Sequence, residues 1–266
     1  MPLTVTIIVT NYNHAPLLEG AVRSVLAQTR PAERVIVYDD ASTDASQQVL
    51  ARLPKFIEVV QADTNCGVVA ARNAGLKLVE TDLVVFLDAD DELLPEFLAA
   101  TLRAWRRASL YHHRLAIVYT PARVRNGDSR GYMHSHGFNK WRLAERNYIP
   151  NTSLILRAAI VDVGGYSDEM ATLGHEDWDL FLGIVERGWS AELVARPLFL
   201  YRTLPESRNQ QSLARGDAVR EAISKRHPWT GQPQPRVTGV QRLGRAAAAL
   251  RQAAWRHWDR RSWSKG

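Results

Sequence analysis

At 266 residues and 45% apolar content, the chain is long enough for one large domain with a sizeable core, alone or with an appendage, and no apolar run reaches the roughly 18–20 residues that span a bilayer. The net charge of +6 belongs to the C-terminal end. From Arg236 onward eight Lys/Arg stand against one acid, Asp259, which leaves 26 basic and 27 acidic residues before it; this argues against a nucleic-acid-binding body and for a tail with its own partner. The lone cysteine, Cys66, rules out an internal disulfide and fits a reducing compartment, and Met1-Pro2-Leu3 lacks the basic start of a secretion signal, so a cytoplasmic protein is expected.

Residues 4–10 alternate and are β-branched, which predicts a first strand. Asn11 to His14 reads as a turn and cap. Pro16 then stands early in a helix with the apolar stripe Leu17, Leu18, Ala21, Val22, Val25 and Leu26. Residues 34–38 form a second strand ending in Asp39-Asp40, and Ser42-Thr43-Asp44 reads as the cap of a helix to about Leu53. A third strand over 56–61, a turn at Asn65-Cys66-Gly67, a helix over 68–79 and a fourth strand over 83–87 follow, with Pro95 near the first turn of the next helix. Strand–helix alternation at this spacing predicts a mostly parallel sheet. Three strands end in polar groups: Thr10-Asn11, Asp39-Asp40 and Asp88 to Asp91. A parallel sheet brings these ends to one edge, where such sheets bind ligands.

Beyond Trp105 the pattern loosens. Residues 115–119 are strand-like, and residues 121–147, polar and rich in Arg and His, read as a long functional loop. A further strand is expected over 152–156 and a turn over 163–166. A helix over 177–187 is closed by Gly188, and short strands are expected over 191–195 and 198–202.

The run Val84-Val85-Phe86-Leu87-Asp88-Ala89-Asp90-Asp91 carries the most chemistry. A buried strand ends in three carboxylates within four residues, a pattern that repels itself unless something binds it. A hard divalent cation wants such oxygen ligands. The competing reading is a helix start, with Asp91 as N-cap and Glu92 in the first turn. On this segment alone the two readings are level.

Six segments come in a fixed order: residues 5–13, residues 35–44, Asn65-Cys66-Gly67, Ala71-Arg72-Asn73-Ala74-Gly75, residues 86–91 and His175-Glu176-Asp177. Together they resemble the family 2 glycosyltransferases over roughly residues 4–205. The resemblance implies the GT-A fold, an α/β, Rossmann-like, mostly parallel sheet flanked by helices. It also implies an inverting, metal-dependent transfer of a sugar from a nucleoside-diphosphate donor to a hydroxyl acceptor. By resemblance Asp90 holds the divalent cation, Mn²⁺ or Mg²⁺, with Asp88 supporting it directly or through water and the donor ribose. Asp40 reads the imide N–H of uracil, which adenine and cytosine do not offer; its competing role is a turn residue capping the Ser42 helix. Thr10 and Tyr12 complete the nucleoside pocket, with Tyr12 stacking on the base or serving as a core-edge aromatic. Asn65 and Gly67 bring backbone close to the nucleotide. Arg72 neutralises the diphosphate, braces the acidic cluster or forms a structural ion pair. Asp177 is the base that takes the acceptor proton, with Glu176 in reserve or as an acceptor contact; favourable charge at a helix N-terminus is the bland account of the pair. Trp178 beside them offers a sugar-stacking face or a core residue.

One departure from the family pattern stands out. Many members carry a His after the Arg of the last short strand, whereas Arg202 is followed by Thr203-Leu204-Pro205-Glu206-Ser207. Arg202 keeps a diphosphate role open, and the loop residues His134 and His136 are weak substitutes for the missing His. UDP is preferred to dTDP only by family habit, since both bases present the same imide edge.

The expected organisation is a catalytic domain over 1–230, its nucleotide half about 1–110 and its acceptor half about 111–230, followed by a Trp/Arg-rich tail over 231–266. In the tail Leu243, Ala247, Leu250, Ala254 and Trp258 share one helical face, and Arg242, Arg245, Arg256 and Arg260 share another. A basic amphipathic helix of this kind suits an anionic membrane surface at the inner face of the plasma membrane, or packing on the catalytic domain. The expected partners are a nucleotide-sugar donor and a saccharide or lipid-linked saccharide acceptor, in bacterial cell-surface polysaccharide or glycolipid synthesis, with no nucleic acid. A sugar-nucleotide pyrophosphorylase is disfavoured because no glycine follows the first strand, and a dehydrogenase because no Gly-x-Gly-x-x-Gly follows any strand. A non-catalytic sugar-nucleotide-binding protein of the same fold is the remaining alternative.

Overall fold

A computed structural model describes residues 2–127, 129–204 and 215–233. The tail predicted over 231–266 lies outside the described residues except for 231–233.

Seven strands form the main sheet in the order β10-β6-β9-β4-β1-β2-β3. They are β1 (Val5–Asn11), β2 (Arg34–Asp39), β3 (Glu58–Gln61), β4 (Leu83–Asp88), β6 (Leu115–Tyr119), β9 (Leu154–Leu156) and β10 (Ser190–Leu193). All pairings are parallel except those of β9, which runs antiparallel to both β4 and β6. The α/β, mostly parallel architecture is therefore as the sequence predicts. A smaller sheet, β5-β11-β7-β8, joins β5 (Glu92–Leu93), β7 (Ala122–Asn126), β8 (Ser129–Met133) and β11 (Phe199–Arg202).

The central strands read as nearly continuous apolar runs, interrupted in β1 by the buried Thr6, because both faces are buried. Val5, Ile7 and Val9 of β1, Val35 and Val37 of β2, and Leu83, Val85 and Leu87 of β4 enter one core, with α1 (Ala15–Leu26) and α4 (Phe97–Ala108). The alternate residues Ile8, Ile36, Val84 and Phe86 enter the other. There they meet α3 (Gly67–Lys77), α6 (Arg157–Asp162), α7 (Glu176–Glu186) and α8 (Gly216–Arg226). This period of two decides where the polar ends point. Asp88 continues the phase of Val84 and Phe86 and so faces α3, whereas Asp39 continues that of Val35 and Val37 and faces the opposite layer.

Several expectations are corrected. Ser42-Thr43-Asp44 does not cap a helix directly: the helix α2 is short, Ser46–Leu50, and begins after Ala45. The three residues instead form a loop network. Asn13 Oδ1 accepts the N–H groups of Thr43 and Asp44, and Asp44 accepts those of Ser46 and Ala15. Residues 121–147 are no structureless loop: they hold the β7–β8 hairpin and α5 (Lys140–Glu145). Asp91 and Glu92 start no helix, since Glu92 enters strand β5 and α4 begins at Phe97 after the N-cap Glu96. No helix among the described residues is long and apolar enough to cross a membrane.

Candidate active site

The C-terminal edge of the main sheet opens into a cleft of about 1410 Å³. Register builds its floor: Thr10 of β1 lies between Tyr38 of β2 and Asp88 of β4, and its hydroxyl donates to Asp88 Oδ1 at 3.1 Å. Tyr12 follows on the rim, 43% exposed. Thr10, Tyr12, Asp40, Asn65, Gly67, Arg72, Asp88, Asp90, Glu176 and Asp177 all line this one cleft.

Asp39 and Asp40 diverge. Asp39 is fully buried and accepts from Asn11 Nδ2, the Ser42 hydroxyl and N–H, and Gln47 Nε2. It organises the loop and does not face the cleft. Asp40 accepts the N–H groups of Cys66 at 3.0 Å and Gly67 at 2.7 Å, and Asn65 Nδ2 donates to its carbonyl. Asp40 thus caps a helix, but the helix is α3 rather than the one after Ser42. Each carboxylate oxygen keeps a second lone pair for a ligand. Gly67 sits at φ +84, a conformation that favours glycine, with open space where a Cβ would stand.

Asp88, Asp90 and Asp91 each offer an oxygen, and these atoms lie within 4.8 Å of one another. Burial and the charge of Asp88 push the Asp90 carboxyl up to about 6. Burial, Asp90 and Asp88 push Asp91 well above the usual carboxylate range. A divalent cation relieves such mutual repulsion, and an all-oxygen set suits Mg²⁺ or Mn²⁺. Asp91 is buried and accepts the Arg202 N–H at 2.9 Å, so Asp88 and Asp90 are the members more open to the cleft. The Arg202 guanidinium pairs with Glu92.

Arg72 joins the two halves of the site. It rises from α3, buried, and donates to Asp88 Oδ1 and Glu176 Oε1, each at 2.7 Å, with its guanidinium 5.5 Å from the Tyr166 ring centroid. Burial opposes its charge, but the two carboxylates outweigh that and hold it firmly protonated. Its contacts are those of a brace for the acidic groups.

Across from this brace α7 begins at Glu176, after His175 at φ +61, a left-handed conformation that is costly for a non-glycine residue. The turn aims Asp177 into the cleft while Trp178 turns into the core, where its Nε1 donates to Leu143 O at 2.6 Å. Trp178 is thus a core residue. Asp177 Oδ1 accepts the Trp178 N–H at 2.7 Å and Oδ2 accepts Asn147 Nδ2 at 3.0 Å. Burial and neighbouring Glu176 push the Asp177 carboxyl up to about 7, against the pull of Arg72. A carboxylate tuned there is suited to general-base work near neutrality. The sequence pointed to neither Asn147 nor the Tyr166 platform, since Asn147 sat inside an apparent loop. His134 lines the cleft, whereas the His136 carbonyl accepts the Tyr119 hydroxyl.

Comparison with known proteins decides the family. The model of glycosyl transferase family 2 matches residues 6–173. The chain belongs to glycosyl transferase family 2. Among its relatives is the succinoglycan biosynthesis protein ExoU of Rhizobium meliloti, 31% identical over 206 residues, 70% of this chain and 58% of that protein. Another is the putative teichuronic acid biosynthesis glycosyltransferase TuaG of Bacillus subtilis, 37% identical over 91 residues, 33% of this chain and 36% of TuaG. The match to TuaG thus takes in little more than a third of that protein's length. The crystal structure of S. aureus TarS 1-349 in complex with UDP-GlcNAc superposes with a TM-score of 0.63 at 20% identity, covering 78% of this chain and 61% of that one. This likeness shows that the family 2 chain shares the TarS fold.

Proposed function

We propose that this family 2 member is an inverting hexosyltransferase that moves a sugar from a nucleoside-diphosphate donor, UDP in preference to dTDP, to a hydroxyl of a saccharide or lipid-linked saccharide. The observation that carries the reading is the pairing of the Asp88–Asp90 cluster and Asp177 within one cleft, 89 residues apart in sequence between Asp88 and Asp177, joined through Arg72 and Glu176. The UDP-GlcNAc bound to TarS and the polysaccharide names of ExoU and TuaG support a nucleotide-sugar donor and a cell-surface glycan product.

In this reading residues 1–230 are the catalytic unit, with its nucleotide half about 1–110 and its acceptor half about 111–230. Asp40, beside Asn65 and Gly67, receives the imide N–H of the base, while Thr10 and Tyr12 flank the nucleoside. Asp88 and Asp90 hold the divalent cation, Mn²⁺ or Mg²⁺, which supplies charge stabilisation for the departing diphosphate. Asp177 takes the acceptor O–H proton as that oxygen bonds to the anomeric carbon. The bond to the diphosphate breaks on the opposite face, and the diphosphate leaves with the electron pair, so configuration inverts. Glu176, committed to Arg72, sets the charge around Asp177. The tail, outside the described residues, is assigned to an anionic membrane surface on its composition alone.

Calorimetric titration with UDP, dTDP, GDP and ADP, with Mn²⁺ and then with EDTA, tests the donor side. Metal-dependent binding of a uracil or thymine diphosphate, lost in Asp40→Ala and Asp90→Ala, is expected; no binding by folded protein sinks the reading. Asp177→Asn separates an enzyme from a pure binder: it should keep UDP binding and lose transfer.

A further inference from the structure

We propose that Asn147 is a positioning residue that orients the Asp177 carboxylate toward the acceptor hydroxyl. The proposal rests on the reading of Asp177 as the base and adds the partner that aims it.

The geometry is a two-sided clamp. Asn147 Nδ2 donates to Asp177 Oδ2 at 3.0 Å, while its Oδ1 accepts the Ile149 N–H at 3.2 Å. That second contact fixes the amide, because the flipped amide would set oxygen against carboxylate and NH₂ against N–H. Asp177 Oδ1 is held by the Trp178 N–H at 2.7 Å. Both oxygens of the carboxylate are therefore gripped, one by its own helix and one by a different segment, and its rotation about χ2 is stopped.

The grip comes from a rigid support. Asn147 closes the segment after α5, and α5 is itself capped by Asn139, whose Oδ1 accepts from Trp141 and Arg142 N–H at 3.0 Å. The Tyr148 hydroxyl ties back to the Asn139 N–H at 2.8 Å, and Trp178 Nε1 anchors α7 to Leu143 of α5. Asn147 and Asp177 both face the cleft.

The charged and titratable groups around Asp177 are Glu176 and His175 on its own segment, Arg72 from α3 and Tyr166 from the turn after α6. Glu176 disfavours a second negative charge and Arg72 favours it. Asn147 is the neutral member of the set: it favours the ionised form through a hydrogen bond and brings no charge that would follow pH.

The test is a carboxyl titration of the full chain labelled with ¹³C-aspartate, the Asp177 resonance being assigned by its loss in Asp177→Asn. Asn147→Ala should raise the Asp177 midpoint by about one pH unit. Asn147→Asp should raise it further, because two carboxylates then share one site, and Asn147→Ser, which keeps a donor, should recover part of the shift. UDP binding should be unchanged in all three, since Asn147 lies on the acceptor side. An unmoved midpoint in folded Asn147→Ala overturns the role of Asn147 alone. Transfer activity that survives Asp177→Asn overturns the base reading and, with it, the purpose assigned to Asn147.

Discussion

Arg72→Met tests whether the brace between the two halves of the cleft is as costly to break as its burial implies. The Arg72 side chain is 4% exposed, and its two partners differ: Asp88 keeps 35% exposure and Glu176 only 11%. Met fills a similar volume and can lie on the Tyr166 ring as the guanidinium does, so lost packing is a minor part of the change. Removing one partner of a buried pair typically costs ~3–5 kcal/mol, because the other charge is left uncompensated. Asp88 recovers water more readily than the more deeply buried Glu176, which should carry the larger share of that cost. Urea unfolding followed by tryptophan fluorescence at pH 8 should show Arg72→Met destabilised by about 3–5 kcal/mol. The double variant Arg72→Met/Glu176→Gln should regain more than half of the loss, since it removes the buried charge that the guanidinium faced. A double variant no more stable than the single one at pH 8 would refute the assignment of the cost to Glu176.

Asp177→Asn should stabilise the fold while abolishing transfer. The folded Asp177 carboxyl is raised to about 7, so the folded state holds a proton that the unfolded chain releases near pH ~4, and stability drains away as pH rises between the two. The advantage of Asp177→Asn in thermal unfolding should therefore grow from pH ~4 to about pH 7 and level off above it; a pH-independent difference would contradict the assignment. Gly165→Ala should cost ~1–3 kcal/mol: Gly165 sits at φ +86, and an added Cβ would lie 2.7 Å from Asn73 Oδ1, the atom that accepts the Tyr166 N–H. Chemical denaturation would show it, and Asn73→Ala in the same chain should remove the steric part but not the backbone strain. Asp40→Ala should lose UDP affinity yet keep Mn²⁺ binding by calorimetry, and should weaken the fold by ~1–2 kcal/mol through the lost cap on α3; Asp90→Asn should lose the Mn²⁺ isotherm with little loss of stability.

The sequence by itself determined the layer plan and the edge on which the site lies. Strands buried on both faces are apolar nearly throughout, so β1, β2 and β4 announce themselves as runs such as Val5 to Val9, broken by Thr6 alone, and Leu83 to Leu87. The first polar residue after each run marks the sheet edge. Asp40, Asp88, Asp90 and Asp177 stand in segments whose order is readable without coordinates. The period of two also fixes that Asp88 and Asp39 point to opposite layers, though this becomes visible only once the strands are in register. Tertiary structure alone decided which polar residues answer to one another. Ser42 and Asp44 look like a helix cap and serve a loop whose other half is Asn11 and Asn13, about thirty residues earlier. Arg72 fits a phosphate ligand, a brace or an ion pair in the sequence, and its partner Glu176 lies 104 residues away. Asn147 looks like loop and holds Asp177, thirty residues on. Local periodicity encodes which face of an element is buried; it carries no trace of a hydrogen bond between elements that meet only when the core closes.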